Sequence, residues 1–411
     1  MSFSALGLCD VLLKTVEAQG YASPTEIQRE AIPAVLSQRD VMAVAQTGTG
    51  KTAGFTLPMV QLLSGGPSPQ SQTIRALIIT PTRELAAQVE KSVQNYSRDM
   101  NIRCAAAFGG VRIEPQIAQL QAGLDVLVAT PGRLIDLYNQ QAVNFKQLEI
   151  LVLDEADRML DLGFIDDIRH IQTLLPSQRQ TLMFSATFSK AIKSLAQGML
   201  NNPLLIEVTA ANSTVDSIKQ KIHPVDKARK SELLIHLIHK KKWHQVLVFT
   251  RTKKGADSLV VQLENSGVSA ASIHANRTQH ARTLALDGFR SGNVKVLVAT
   301  DLASRGIDVN QLSCVVNFDM PYLAEDYVHR IGRTGRAGSA GLAVSFYSED
   351  EAKQLQSIER VIGRQFKLET IPGFAPSKKV AASPFDDEEY GNFEPDTQPR
   401  GRGKAKRRRS R

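Results

Sequence analysis

The chain has 411 residues, a length that favours two or three domains, and 42% of them are hydrophobic, as in an ordinary soluble globular protein. Its three cysteines lie far apart, which argues against a disulfide framework or a zinc site and is typical of a reducing, cytoplasmic compartment. We expect neither a signal peptide nor a membrane span, because no basic start precedes an apolar block and no apolar stretch could cross a bilayer.

The formal net charge of +9 is concentrated at one end of the chain. Residues 400–411 contain eight arginines and lysines and no acid, so residues 1–399 together carry a net charge of only +1. The sequence after Phe374 turns to proline, serine, glycine and charge, which predicts that residues 375–411 are disordered. We expect the basic run to bind nucleic acid; a solvated terminus that aids solubility is the alternative.

Short β-rich runs alternate with helical stretches along the first half of the chain. Helical stretches lie at residues 84–95 and 113–121, for example, between runs that are rich in aliphatic residues. This alternation predicts a parallel sheet covered by helices. The candidate strands are residues 41–45, 76–80, 125–130, 150–154 and 181–185.

A polar segment at residues 210–217 interrupts the alternation and predicts a linker. The second half then repeats the scheme, and its run at 295–300 is similar to the run at 125–130. We therefore expect two similar α/β halves that face each other across a cleft. The candidate strands of the second half are residues 246–250, 270–274, 295–300, 314–317 and 342–347.

A phosphate-binding loop follows the first candidate strand. The N–H groups of a glycine-bearing turn, together with the start of a helix, can wrap phosphate oxygens. Lys51 would reach the β- and γ-phosphates, and the Thr52 hydroxyl would bind Mg²⁺. The loop consists of Ala45, Gln46, Thr47, Gly48, Thr49, Gly50, Lys51 and Thr52.

An acidic tetrad ends the apolar run at residues 150–153. Asp154 is the expected Mg²⁺ partner, partly through water, and Glu155 is placed to orient or deprotonate the attacking water of phosphoryl transfer. Acids that complement the dipole of a helix start would give the same pattern. The phosphate-binding loop upstream favours the metal–nucleotide site.

Phosphoryl transfer also requires positive charge near the transferred group, which arginines often supply. Arg330, Arg333 and Arg336 stand three residues apart in the second half, directly after His329. Cations on one half that face a phosphate held by the other half would make hydrolysis depend on closure of the cleft. Taken alone, the segment would be interpreted as an ordinary basic surface turn.

These segments, in this order, resemble the DEAD-box ATP-dependent RNA helicases of superfamily 2 over residues 1–372, and the bacterial RhlE-like subgroup in particular. The resemblance implies an α/β fold of two tandem RecA-like domains, each a parallel β-sheet flanked by helices, with a disordered basic C-terminal tail. The expected boundaries are 1–209 for the ATP-binding domain (Q motif 1–29), 210–217 for the linker, 218–374 for the helicase C-terminal domain and 375–411 for the tail.

The resemblance assigns further residues to the nucleotide and to coupling. Phe3 and Gln28 belong to a Q motif, which in the family recognises adenine, and Asp308 would lie near the ribose. It also implies residues that couple ATP hydrolysis to work on RNA. Asp157 would contact the hydroxyls of Ser185 and Thr187, and His329 and Arg330 would organise the cleft. The implied catalytic set is Lys51, Asp154, Glu155, Arg333 and Arg336.

The resemblance also places RNA contacts on both halves. The threonine hydroxyls, glycine N–H groups and arginines of these loops are suited to phosphates and read no bases. In the first half the expected RNA-binding residues are Pro81, Thr82, Arg83, Gly109, Gly110, Thr130, Pro131, Gly132 and Arg133. In the second half they are Arg251, His274, Gln279, Arg282 and Thr300, with Ala275 in place of the glycine customary after His274.

The expected activity is RNA-stimulated hydrolysis of ATP, with Mg²⁺, coupled to domain closure. Closure would drive local, non-processive unwinding of short RNA duplexes or remodelling of RNA–protein complexes. An ATP-gated RNA clamp or assembly factor with little unwinding, and a DNA helicase, remain as alternatives. We expect a cytoplasmic monomer that binds RNA without sequence preference and no membrane, with ribosomal precursors or RNA-decay proteins as candidate partners.

Overall fold

A computed structural model of the chain describes residues 2–46, 48–208, 218–304, 312–335 and 341–377, with the backbone alone at residues 302 and 304. The expected linker at 210–217 and the basic run at 400–411 lie outside these ranges. Thr47, Asp308 and Arg336 also lie outside them.

The first half contains a seven-stranded sheet in which all neighbouring strands are parallel. Its strands are β1 (Val41–Val44), β2 (Ile74–Ile79), β3 (Cys104–Ala107), β4 (Leu124–Ala129), β5 (Ile150–Leu153), β6 (Gln180–Ser185) and β7 (Leu204–Glu207). They lie in the order β3-β4-β2-β5-β6-β1-β7. The five central strands correspond to the five predicted from the sequence, whereas the edge strands β3 and β7 are not among the predictions.

Helices pack on both faces of this sheet and bury it. Alternate residues of β2 pack into different hydrophobic cores on the two faces of the sheet. Ala76 and Ile78 belong to one core, and Leu77 and Ile79 belong to the other. Burial on both faces explains why the central strands are continuous apolar runs. The helices are α1 (Asp10–Ala18), α2 (Glu26–Leu36), α3 (Lys51–Ser64), α4 (Arg83–Tyr96), α5 (Glu114–Gln121), α6 (Pro131–Asn139), α7 (Ala156–Asp161), α8 (Ile165–Leu174) and α9 (Lys190–Met199).

The second half contains a six-stranded sheet, again with parallel neighbours throughout. Its strands are β8 (Ile218–Pro224), β9 (Val246–Phe249), β10 (Ala270–Ile273), β11 (Val296–Ala299), β12 (Cys314–Asn317) and β13 (Gly341–Tyr347). They lie in the order β10-β11-β9-β12-β13-β8. The edge strand β8 is the one strand of this sheet that the sequence did not predict.

The helices of the second half are α10 (Lys230–Lys241), α11 (Lys253–Asn265), α12 (Gln279–Arg290), α13 (Asp301–Ser304), α14 (Ala324–Ile331) and α15 (Ala352–Ile362). Within the described ranges, no helix of either half is long and apolar enough to cross a membrane. The two sheets and their helices have the architecture of tandem RecA-like domains.

The chain stays packed on the second half beyond α15. The ring centroid of Phe374 lies 4.7 Å from the guanidinium carbon of Arg229 and 5.2 Å from the ring centroid of His236. The Ser377 amide and hydroxyl donate to the Asp226 carboxylate at 3.1 and 3.0 Å. Ordered contacts therefore continue three residues past the domain end predicted at residue 374.

Candidate functional site

The phosphate-binding loop joins the carboxyl end of β1 to the start of α3, where parallel sheets commonly bind ligands. Gly48 and Gly50 have φ values of 85° and 92°, a left-handed conformation that favours glycine. A Cβ at Gly50 would also lie 2.4 Å from Nε2 of Gln28. The same Nε2 atom donates to the Gly50 carbonyl oxygen at 3.1 Å, which connects the Q motif to the loop. Within the loop, the Thr49 hydroxyl donates to the Gln46 carbonyl oxygen at 2.7 Å.

The start of α3 supplies the positive side of the site. Lys51 is only 6% exposed, and its Nζ donates to the carbonyl oxygen of Ala45 at 2.7 Å. Free N–H groups at a helix start favour anions, and a buried ammonium beside them strengthens that preference. The arrangement fits the phosphates of a nucleotide.

Asp154 follows β5 and is 3% exposed. Burial raises its pKa to about 7, and the neighbouring Glu155 carboxylate adds to the rise, whereas Lys51 opposes it. A buried carboxylate of this kind is stabilised by a cation, so Asp154 and the Thr52 hydroxyl fit Mg²⁺ as oxygen ligands. In the described ranges no group of three or more His, Cys, Asp or Glu side chains could hold a metal alone, but Mg²⁺ typically takes one or two protein carboxylates together with substrate phosphates.

Glu155 turns the chain from β5 into α7 with a φ of 54°. This left-handed conformation is uncommon for a residue other than glycine, and such positions concentrate at functional sites. The turn sets Glu155 directly beside Asp154 at the rim of the sheet.

One cavity of 680 Å³ brings the predicted catalytic groups together. Its walls include Lys51, Thr52, Asp154 and Glu155 from the first half and Arg333 from the second. The volume lies within the range of small-molecule and cofactor sites. The two halves therefore share one cavity whose chemistry suits a magnesium–nucleotide complex.

Two tyrosines, Tyr21 and Tyr96, line the cavity, and neither is among the site residues predicted from the sequence. Phe3 is 6% exposed and belongs to the hydrophobic core, where its ring stacks on Tyr21 at a centroid distance of 6.4 Å. Tyr21 lines the cavity, and its hydroxyl is hydrogen-bonded to that of Tyr96 at 3.0 Å. The structure thus places Phe3 in the core beneath Tyr21.

The link between the acidic tetrad and the strand end at Ser185 differs from the expectation. Asp157 accepts hydrogen bonds from the backbone amides of Ala186 and Arg158, both at 3.1 Å. The Ser185 hydroxyl instead donates to the carbonyl oxygen of Thr187 at 2.8 Å. Because that hydroxyl is already engaged, the connection to Asp157 runs through an amide rather than through the two hydroxyls.

Arg330 organises the carboxyl edge of the second sheet. It is 2% exposed and donates from Nε and Nη2 to the Asp301 carboxylate at 2.5 and 2.7 Å. Its Nη1 donates to the side-chain oxygen of Asn317 at 3.1 Å and to the carbonyl oxygen of Asp319 at 2.7 Å. The bidentate pair with Asp301 connects α14 to α13, and the bond to Asn317 connects α14 to β12. Helix α14 also carries His329.

Two ion pairs connect the halves across the cleft. In the first, Arg158 of α7 lies 3.4 Å from Asp326 of α14, a carboxylate that is also 4.0 Å from His329 on the same helix. Glu84 of α4 accepts from Arg282 at 2.8 Å and from Gln279 at 3.0 Å. Arg158, Asp326 and Glu84 are absent from the predicted site, although Glu84 and Arg158 adjoin predicted motifs.

The predicted RNA residues of the first half lie at one edge of its sheet, in the loops after β2, β3 and β4. Gly110 leaves room for Arg83, since a Cβ there would lie 1.9 Å from the guanidinium. Thr82 caps α4 by accepting from the Leu85 amide at 3.2 Å. Pro81 precedes it, Gly109 precedes Gly110, and the segment Thr130, Pro131, Gly132 and Arg133 forms the start of α6.

The predicted RNA residues of the second half lie at the corresponding edge, but most have protein partners. His274 is 2% exposed and pairs with Asp257 at 2.9 Å, and Thr300 is 8% exposed. Gln279 and Arg282 bind Glu84, as described above. Direct contact between these side chains and RNA stays a prediction.

Comparisons with known proteins agree with this geometry. Residues 25–195 match the family described as DEAD/DEAH box helicase, and residues 229–338 match the helicase conserved C-terminal domain. The ATP-dependent RNA helicase RhlB of Pseudomonas syringae pv. tomato is 41% identical over 376 residues, which cover 90% of this chain and 95% of that protein.

The chain belongs to the DEAD-box family of ATP-dependent RNA helicases. Another member, CshA of Bacillus subtilis, is 40% identical over 89% of this chain and 73% of its own length. Among solved structures, Dbp5 of S. cerevisiae bound to RNA and ADP BeF3 has a TM-score of 0.79 and 34% identity, with 91% of this chain and 95% of Dbp5 covered. The assignment to the RhlE-like subgroup of DEAD-box helicases stays a prediction.

Proposed function

We propose that this DEAD-box helicase hydrolyses ATP in a site that exists only while its two halves are together, and that RNA holds them together. The observation that carries this proposal is the shared cavity, in which Lys51, Asp154 and Glu155 meet Arg333 of the second half. Hydrolysis would drive local separation of short RNA duplexes or remodelling of RNA–protein complexes.

Each group at the cavity has a proposed role. Lys51 binds the β- and γ-phosphates, Gln28 and Tyr21 hold the adenine, and Arg333 neutralises charge on the transferred phosphoryl group. Thr52 and Asp154 would hold Mg²⁺, which when bound screens the phosphate charge. Glu155 orients the attacking water and accepts its proton.

RNA is proposed to bind along the carboxyl edges of both sheets. The solved relative Dbp5 is bound to RNA and ADP BeF3, and the present chain resembles it across both halves. The Glu84 pairs with Gln279 and Arg282 lie among the predicted RNA-binding loops and exist only when the halves meet. RNA and ATP would therefore favour the same closed state and, by linkage, each other.

The direct test is Glu155→Gln. This change removes the group that accepts the proton but keeps the size of the side chain, so RNA-stimulated ATP hydrolysis should fall by about a hundredfold or more, while ATP and RNA binding persist. Phosphate release and equilibrium binding would be measured side by side, with the exposed Glu264→Gln as a matched control. Hydrolysis near the wild-type rate in Glu155→Gln would refute the assignment.

A second measurement separates unwinding from clamping. A helicase should release the strands of a short RNA duplex within its ATP-hydrolysis cycles and leave a matched DNA duplex paired. A long-lived RNA complex under a nonhydrolysable nucleotide, without strand release under ATP, would instead favour the clamp alternative.

A further inference from the structure

An exposed aromatic residue lies at the carboxyl edge of the second sheet. Tyr322, in the loop between β12 and α14, is 70% exposed, and the adjacent Leu323 is 57% exposed. Large hydrophobic side chains with this exposure contribute little to the core, and a tyrosine beside a nucleic-acid site is a candidate stacking surface.

The ring of Tyr322 is supported from one side. The guanidinium carbon of Arg251 lies 4.8 Å from the ring centroid, a distance typical of a cation–π contact. Arg251 is itself fixed, because its Nη2 donates to Glu351 at 3.0 Å and to the Met320 carbonyl oxygen at 3.4 Å. With an arginine on one face and most of its surface in solvent, the ring presents its other face outward.

The loop that carries Tyr322 is held at two residues shortly before it, Asp319 and Met320. The Met320 amide donates to Glu351 at 3.0 Å, and the Asp319 carboxylate accepts from the Arg251 amide at 2.8 Å. Glu351 is 2% exposed at its side chain and also pairs with the buried Lys230 at 2.7 Å. A ring on so constrained a loop loses little conformational freedom when it binds a partner.

The surroundings indicate which partner fits. In the sheet order, β12 is next to β9, the loop after β9 carries Arg251, and the helix that follows, α11, begins with the exposed Lys253 and Lys254. Lys253 donates to Asn276, in the loop after β10, at 2.9 Å. Tyr322 thus continues, by one strand, the row of loops in which RNA contacts are predicted, and the two lysines that follow β9 add positive charge to this row.

We propose that Tyr322 stacks on a base of the RNA strand bound by the second half, with Arg251 as the support of the ring. The inference rests on the proposed RNA-binding function. Stacking suits a sequence-independent helicase, because every base has a flat face and none is selected by it. The stacked base would fix one end of the bound strand, where phosphate contacts alone would let it slide.

The test compares Tyr322→Ala and Tyr322→Phe with the wild type in binding single-stranded RNA under a nonhydrolysable ATP analogue. Loss of one stacked base should weaken binding by about fivefold to a hundredfold in Tyr322→Ala, and Tyr322→Phe should retain wild-type affinity. Because tyrosine carries no charge, the dependence of affinity on salt should keep its slope. Val361→Ala, at an exposed site on α15, is the matched control and should bind as the wild type does.

RNAs with one abasic nucleotide, moved along the strand, provide the decisive readout. When the abasic nucleotide stands at the position that stacks on Tyr322, it should lower the RNA affinity of the wild type. At that position the wild type and Tyr322→Ala should bind the RNA with equal affinity. Equal RNA affinity of wild type and Tyr322→Ala overturns the proposal, and so does a difference that persists at every abasic position. Failure of the wild type to bind RNA would instead overturn the proposed function itself.

Discussion

Gly50 shows how a single residue can serve two motifs. Its φ of 92° requires the left-handed region, and the space beyond its Cα is filled by Gln28. Both facts follow from the packing of the Q motif against the phosphate-binding loop, so the proposed adenine-binding and phosphate-binding residues share one contact.

Gly50→Ala should therefore damage nucleotide binding. The left-handed conformation costs a non-glycine residue about 1–2 kcal/mol, and the new Cβ would also displace the Gln28 amide. We expect at least a tenfold rise in the dissociation constant for ATP, measured by titration with a fluorescent analogue.

The control for this change is Gly198→Ala. Gly198 lies in α9 with nothing within 4 Å of an added Cβ, so nucleotide affinity should stay constant and helix stability should rise slightly. Wild-type ATP affinity in Gly50→Ala would show that the loop relaxes and that Gln28 is not held as described.

At the scale of elements, helices α4 and α12 meet across the cleft through Glu84. Its carboxylate binds Arg282 and Gln279, and the side chains of Glu84 and Arg282 are 5% and 10% exposed. A pair this well shielded from solvent is worth more than a surface ion pair, and removing one partner leaves the other desolvated.

Glu84→Ala should weaken the coupling between RNA and ATP by about 2 kcal/mol, the lower end of the cost of truncating a buried interfacial charge pair. The measurement is the ATP dissociation constant with and without saturating RNA, whose ratio should shrink. Asp166→Asn, which removes an exposed ion pair on α8, should leave the ratio unchanged. An unaltered ratio in Glu84→Ala would remove this pair from the coupling mechanism.

The strands that the sequence predicts, and those it does not, differ in burial. Central strands such as β5 are apolar at every position, because helices cover both of their faces. Strand β3 is mostly alanine and half-buried, and β8 contains two lysines, a glutamine and a histidine among its seven residues, so neither has a distinct apolar run. The edge strands β3, β7 and β8 are defined mainly by pairing with a distant neighbour, which a local pattern does not contain, whereas the predicted edge strand β10 has three buried residues of four.

The candidate site also contains parts that the sequence predicts and parts that it does not. The phosphate-binding loop and the acidic tetrad are contiguous motifs, and their chemistry is evident from residue types alone. The pairs Arg158–Asp326 and Glu84–Arg282 join residues more than 160 positions apart, so they appear only once the halves are placed together. Phe3 shows a further limit of local patterns: its ring lies in the core and stacks on Tyr21, which lines the cavity, so its contact with the nucleotide stays a prediction.

For the whole molecule, residues 1–399 together carry a net charge of only +1, and the final twelve residues carry +8. Replacing the eight basic residues of 400–411 by serine should lower RNA affinity and flatten its salt dependence. If all eight contact phosphates of a single strand, the slope of log affinity against log salt should change by about 5–6 units. The same slope before and after replacement would show that this segment does not bind RNA.

Both sheets are parallel, so the amino ends of their strands lie at the edge opposite the site, and exposed residues there can carry probes. Ser177 is exposed just before β6, and Asn265 is exposed at the end of α11, a few residues before β10. Burial raises the pKa of the Cys104 and Cys314 thiols, which makes them slow to react with maleimides. With Cys9 replaced by serine, cysteines introduced at Ser177 and Asn265 would accept a dye pair and turn closure of the cleft into an optical signal.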